Sequence, residues 1–204
     1  MKLHVAMVLG LCTLSLASAQ DRFPQLPADQ MTDVQKKVVA DIVAGPRGSF
    51  VGPFVPLLRS PDLENRLQKV GEYLRFGAAI GRRNTEFVIL ITARSWSQQF
   101  EWGQHAPIAQ KEGIKPETIA AIADGRRPAN MTDEEDMLYN FADELLRNKT
   151  VSEPTFARVK AKFGEQGVID LTGLMGYYTT LAMIMNVAQT PGEAGAPRLP
   201  EFPR

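Results

Sequence analysis

The 204-residue chain carries a single cysteine, Cys12. One thiol excludes an intramolecular disulfide framework, a CxxC redox pair and a cysteine-based structural zinc site. Net charge is missing as well, with 23 Lys and Arg against 23 Asp and Glu. Phosphate binding needs clustered surplus Lys and Arg, so the balance excludes an electrostatic grip on nucleic acid. Histidine is scarce: only His4 and His105 occur. What remains is 44% hydrophobic and 23% charged, the make-up of a soluble globular protein, at a length that allows one domain with its own core.

The first nineteen residues read as an export signal. Lys2 gives a basic start, an apolar run extends from Val5 to Leu16, and Ala17-Ser18-Ala19 has the small-x-small form that signal peptidase cleaves. A transmembrane anchor needs roughly 20 apolar residues, more than this run supplies, so no membrane contact is expected after cleavage. A lipoprotein signal is disfavoured because Leu11 precedes Cys12. Cleavage after residue 19 removes both Cys12 and His4 and leaves His105 as the sole histidine. The destination is secreted or periplasmic. Asn130-Met131-Thr132 and Asn148-Lys149-Thr150 would be glycosylation acceptors in a eukaryotic secretory pathway.

Residues 20–31 read as an extended arm, residues 32–189 as one helical domain and residues 190–204 as a proline-rich tail. Thr32-Asp33 caps a helix from Val34 to Ala44 in which Val34, Val38 and Ile42 recur at helical spacing, and Gly45-Pro46-Arg47-Gly48 stops it. Pro53, Pro56 and Pro61 keep the next stretch a loop, although Phe50, Phe54, Leu57 and Leu58 give it apolar content. A helix from Asp62 to Ile80 turns Leu63, Leu67, Val70, Leu74 and Phe76 to one side, and a second, apolar nearly all round, runs from Arg83 to Arg94. Ser95-x-x-Gln98 has the form of a capping box opening a helix from Trp96 to Glu112. Short helical segments follow from Pro116 to Ala123 and, capped by Thr132, through Leu138, Phe141, Leu145 and Leu146. Ser152 caps Glu153 to Phe163, and Gly167 leads into a last helix from Val168 to Ala188. The fold class is all-α, a compact bundle of six to seven helices.

Gln98, Glu101 and His105 fall at i, i+3 and i+7, on one helix face. A carboxylate one turn before an imidazole can orient the ring and raise its pKa, as a general acid or base requires, and the same spacing also occurs in solvated surface pairs. Glu86 lies in an apolar segment, where a carboxylate is costly unless paired, protonated or serving as charge at a helix start. One histidine with carboxylates lacks the ligands of an ordinary zinc site, and no serine sits in a G-x-S-x-G elbow.

Gly71-Glu72-Tyr73-Leu74-Arg75-Phe76, Glu86, Glu101-Trp102-x-x-His105, Ala109 and Gly113, with Gly52-Pro53-Phe54 and Ser60-Pro61 upstream, resemble the carboxymuconolactone decarboxylase family, which includes the alkylhydroperoxidase D-like proteins. The resemblance runs roughly from Pro53 to Leu146. The peroxidase branch has a glutamate followed by C-x-x-C-x-x-x-H, the histidine nineteen residues on, and Glu86 and His105 keep that separation. The two cysteine positions fall on Gln98 and Glu101. Peroxide reduction needs a nucleophilic and a resolving thiol, so a thiol peroxidase is disfavoured and the decarboxylase-type members are the better match.

That resemblance implies an all-helical homotrimer or homohexamer with a pocket near a subunit interface, and no metal or organic cofactor. Its substrate would be a small carboxylated lactone or oxo acid, of the kind met in aromatic compound catabolism. Glu86, Glu101 and His105 would be catalytic, with Glu101 orienting His105. Gln98, Trp102 and Arg94 would contact substrate: Gln98 at a carbonyl or oxyanion, Arg94 as the cation nearest an anionic group. Glu86 can join the other two only if the chain breaks near Ser95, since continuous helix would hold it about 22 Å from Glu101. The alternative is an exported, non-catalytic ligand-binding or assembly protein on the same fold.

Overall fold

The computed structural model describes residues 21–201. The export signal therefore lies outside the described residues. Within them the chain is all-α: eight α-helices and one 3-10 turn, Ala28–Gln30, with no strand. The helices are α1 Asp33–Ala44, α2 Phe54–Leu57, α3 Pro61–Phe76, α4 Arg82–Ser95, α5 Gln99–Lys111, α6 Pro116–Ala123, α7 Asp133–Asn148 and α8 Glu153–Ala188.

The bundle is organised around α4, which packs against α3, α5, α6, α7 and α8. Every residue from Asn84 to Arg94 is buried, which is why this segment is apolar around its whole circumference. Phe87, Val88, Ile89 and Leu90 meet Leu138 and Phe141 of α7 and Leu171, Leu174 and Met185 of α8 in one core. Each such side chain contributes roughly 1.5–3 kcal/mol through burial. A smaller cluster, Val38, Ile42, Phe50, Phe54 and Leu58, seals α1 and α2 onto the bundle. The prolines that mark this stretch as loop in the sequence do not prevent the single turn of α2, since Pro53 sits at its N-cap. α8 is long and apolar enough to cross a bilayer by length and composition, yet 56% of its most apolar stretch is buried inside the bundle.

Capping is as expected at α1 and α7: Thr32 with Gln35 and Thr132 with Glu135 form reciprocal boxes. Elsewhere the structure corrects the sequence. Ser95 is the last residue of α4 rather than a cap, and Ser97 turns the chain with a φ of 48°. The cap of α5 is Gln98, whose side-chain oxygen accepts from Phe100 N at 2.6 Å and Glu101 N at 3.2 Å. Ser152 stands at the start of α8, but its hydroxyl bonds the Glu144 carboxylate and Thr155 instead of a helix N–H. The break expected between Phe163 and Val168 is found at Gly164, with φ 69° and ψ −177°, a conformation glycine adopts without the steric cost a side chain would bring.

Two further expectations are overturned. On α3, Leu63, Val70 and Phe76 are exposed, whereas Glu64, Gln68, Gly71 and Leu74 are buried. On this inner side Leu74 joins the main core, while Gly71 packs against Tyr177 and Arg47. The C-terminal segment also does not trail into solvent. Residues 190–201 run back over α5: the Gln99 amide donates to Leu199 O and accepts from Leu199 N at 3.1 and 3.0 Å, and the Leu199 side chain is buried in the core. At the other end, Arg22 bonds the carbonyls of Ala188 and Val187 and ties the arm to the end of α8.

Candidate functional site

The short turn between α4 and α5 folds the second helix back along the first. This brings Glu86, in the second turn of α4, to His105 on α5, with Glu86 Oε2 2.6 Å from His105 Nδ1. The Glu86 side chain is completely buried, and Arg75 from the polar face of α3 places its Nε 3.8 Å from the other carboxylate oxygen. The Tyr178 ring of α8 stands edge-on to the imidazole, 5.2 Å away at 89°.

Burial drives the Glu86 carboxyl upward, but the His105 charge and hydrogen bond, with Arg75 and Arg82, outweigh it and hold its pKa below the ordinary carboxylate value. Burial, only partly offset by Glu86 and reinforced by Arg75 and Arg47, lowers His105 below the usual imidazole value. Near neutral pH the group is thus an ionised Glu86, a charged Arg75 and a neutral His105. The Nδ1 proton is donated to Glu86, and the Nε2 lone pair is the basic site left on the ring.

His105 and Glu101 line the same cavity of about 140 Å³, together with Arg47, Arg75, Phe54, Phe100, Gln104 and Tyr178. Glu101 is buried with neither carboxylate oxygen hydrogen-bonded among the described residues. Desolvation therefore raises its pKa well above the ordinary value and favours the neutral carboxylic acid. Two glutamates of one site are pushed in opposite directions, Glu86 towards the anion and Glu101 towards the acid. Such a divergence separates a general acid from a base and its partner.

Glu86, Glu101 and His105 come together at one site, but their pairing differs from the sequence expectation. The imidazole is oriented by Glu86, nineteen residues earlier, and not by Glu101 one turn away, because the first turn of α5 aims Glu101 into the cavity. The other three predicted contacts lie elsewhere. Both ends of Gln98 are engaged: its oxygen caps α5 and its nitrogen donates to Asn186 Oδ1 at 3.1 Å. Trp102 is buried in the main core. Arg94 stands at the far end of α4, donates to Pro200 O at 2.8 Å and borders a separate cavity with Arg126 and Tyr139. Arg82 and Arg83 pair with Glu112 and Glu135.

The cations of the site are Arg47 and Arg75. Arg75 stood in the Gly71–Phe76 motif without an assigned part, and Arg47 stood in a glycine–proline turn that reads only as a helix stop. Arg47 packs against the buried glycine of α3. A Cβ at Gly71 would overlap the Tyr177 hydroxyl and the Arg47 guanidinium, so this glycine clears the space in which the two meet.

No protein-family model and no curated protein matches the chain. A solved structure does: the alkylhydroperoxidase AhpD core of an uncharacterized peroxidase-related protein from Ralstonia eutropha. The match has a TM-score of 0.68 and 15% sequence identity, over 84% of this chain and 92% of that one. The fold is therefore of the alkylhydroperoxidase D-like type. Gln98 and Glu101, which stand where the peroxidase-type sequence pattern places cysteines, are here the N-cap of α5 and a buried acid, and neither can be oxidised and reduced as a thiol is.

Proposed function

We propose that this chain uses an alkylhydroperoxidase D-like fold for cofactor-independent proton transfer, as a decarboxylase or related lyase acting on a small carboxylated lactone or oxo acid. The observation that carries this is the 2.6 Å contact between Glu86 and His105 beside a neutral, unpartnered Glu101 in one cavity. In decarboxylation the bond from carbon to the carboxylate breaks, carbon dioxide leaves, and the electron pair stays on the substrate as an extended enolate. Glu101 donates a hydrogen bond to that charge or gives its proton to the carbanion carbon, and solvent reprotonates it. His105 Nε2 accepts the proton where the reaction begins by enolisation, and Glu86 stabilises the imidazolium that results. A pair of this kind contributes on the order of 10² to 10⁴ in rate.

Export to a secreted or periplasmic location and assembly into a homotrimer or homohexamer belong to the same proposal. Assembly is supported by the outer face of α8, where Ile169, Met183 and Val187 are exposed. Incubating the protein with carboxylated lactones and oxo acids, and following carbon dioxide release and ring opening, tests the function. Turnover is expected, with loss of at least 10² in kcat for His105→Ala. Undiminished activity in that variant overturns the mechanism, and binding without turnover makes the chain a ligand-binding protein on an enzyme fold.

A further inference from the structure

We propose that Arg47 anchors a single carboxylate, so that the cavity selects compact monoanionic acids. This deepens the acid–base reading and rests on it for the reaction, but the binding it describes stands without turnover. Arg47 enters from the turn after α1. Its Nη2 donates to the Tyr177 hydroxyl at 3.2 Å, and its guanidinium carbon lies 4.9 Å from the centre of the Phe54 ring. These contacts fix the plane of the group without neutralising it. Its Nε–H is buried and meets no acceptor among the described residues, a desolvated state that an incoming acceptor relieves. An Nε–H beside an Nη–H is the edge that takes a carboxylate through two parallel hydrogen bonds.

Charge decides the valence of the ligand. Arg47 and Arg75 are cationic, Glu86 is anionic and already engaged with Arg75 and His105, and Glu101 and His105 are neutral. One positive charge is left over in a partly desolvated site. A monocarboxylate cancels it, whereas a dianion would bring a second negative charge next to Glu86. Volume sets the size: about 140 Å³ compares with the roughly 150 Å³ apolar cavity that holds benzene. A buried portion about the size of a five- or six-membered ring fits, with anything larger extending out of the cavity.

Titration calorimetry of the full chain with cyclopentanecarboxylate and its uncharged isostere cyclopentanecarboxamide tests the anchor, because neither compound needs to react. The wild type is expected to bind the carboxylate at least tenfold more tightly. Arg47→Gln should bring the two ligands to parity, Arg47→Lys should fall between, because lysine keeps the charge but not the paired N–H edge, and Tyr177→Phe should weaken only the carboxylate. Equal binding of the two compounds by the wild type overturns the anchor, as does an Arg47→Gln protein that still prefers the acid. The wild-type comparison stands even if Arg47→Gln does not fold. Carboxylate-selective binding with no turnover of any lactone or oxo acid sinks the acid–base reading alone. Turnover of a lactone or oxo acid that Arg47→Gln leaves unchanged in both kcat and KM sinks the anchor alone.

Discussion

Glu64 lies fully buried on the inner face of α3, neither of its carboxylate oxygens has a hydrogen-bond partner among the described residues, and burial pushes its pKa up to about 8. Its folded-state pKa is above the unfolded one, so the folded protein holds more protons between about 4.5 and about 8. Its contribution is full below that window and is lost as pH rises through it, by about 1.4 kcal/mol per pH unit. Urea unfolding across this range should show stability falling with pH, and Glu64→Gln should flatten the decline and be the more stable protein at pH 8. At the site, a base limb set by His105 should lie below the ordinary imidazole pKa. An alkaline limb set by Glu101 should lie well above the ordinary carboxyl value and vanish in Glu101→Gln, as read from the pH dependence of kcat/KM. Glu86, Glu101 and His105 were legible in the sequence because the nineteen-residue separation and the helical spacing of the latter two can be counted along the chain. Arg47 was not, because it is brought to the cavity by packing of α1 on α3, which no local pattern records.

Helix positions followed from capping chemistry and periodicity wherever the core is apolar, as in α1, α4 and α7. They failed where an element turns a polar side inward. On α3 three of the apolar residues, Leu63, Val70 and Phe76, point outward, while Glu64, Gln68 and Gly71 are buried and Arg75 reaches the cavity. The break in α8 illustrates a different limit: Gly164 and Gly167 look alike in sequence, but only Gly164 adopts positive φ, while Gly167 is buried against Phe163. Gly164→Ala should therefore destabilise the protein by about 1 kcal/mol or more, measured as a shift of the urea midpoint. The C-terminal segment makes the opposite case, since its prolines suggest a solvated tail although Leu199 is a core residue. Leu199→Ala should cost about 2–5 kcal/mol in the same measurement.

For the molecule as a whole, α4 as a hub explains how a fold of the alkylhydroperoxidase D-like type persists at 15% identity: what the bundle requires is a buried apolar cylinder and helices of suitable length, and many sequences meet that. The all-α class could be read from the chain, although eight α-helices stand among the described residues where six to seven were expected, whereas the folding of the tail onto α5 could not, because it joins segments about a hundred residues apart. Assembly should appear in sedimentation as a trimer or hexamer, and Met183→Glu, on the exposed face of α8, should shift it towards smaller species without unfolding the protein. The strap over α5 also bears on the order of synthesis. Gln99 receives its Leu199 partner only after a further hundred residues have been made. The helix that carries Glu101 and His105 is thus fastened on this side well after its own synthesis.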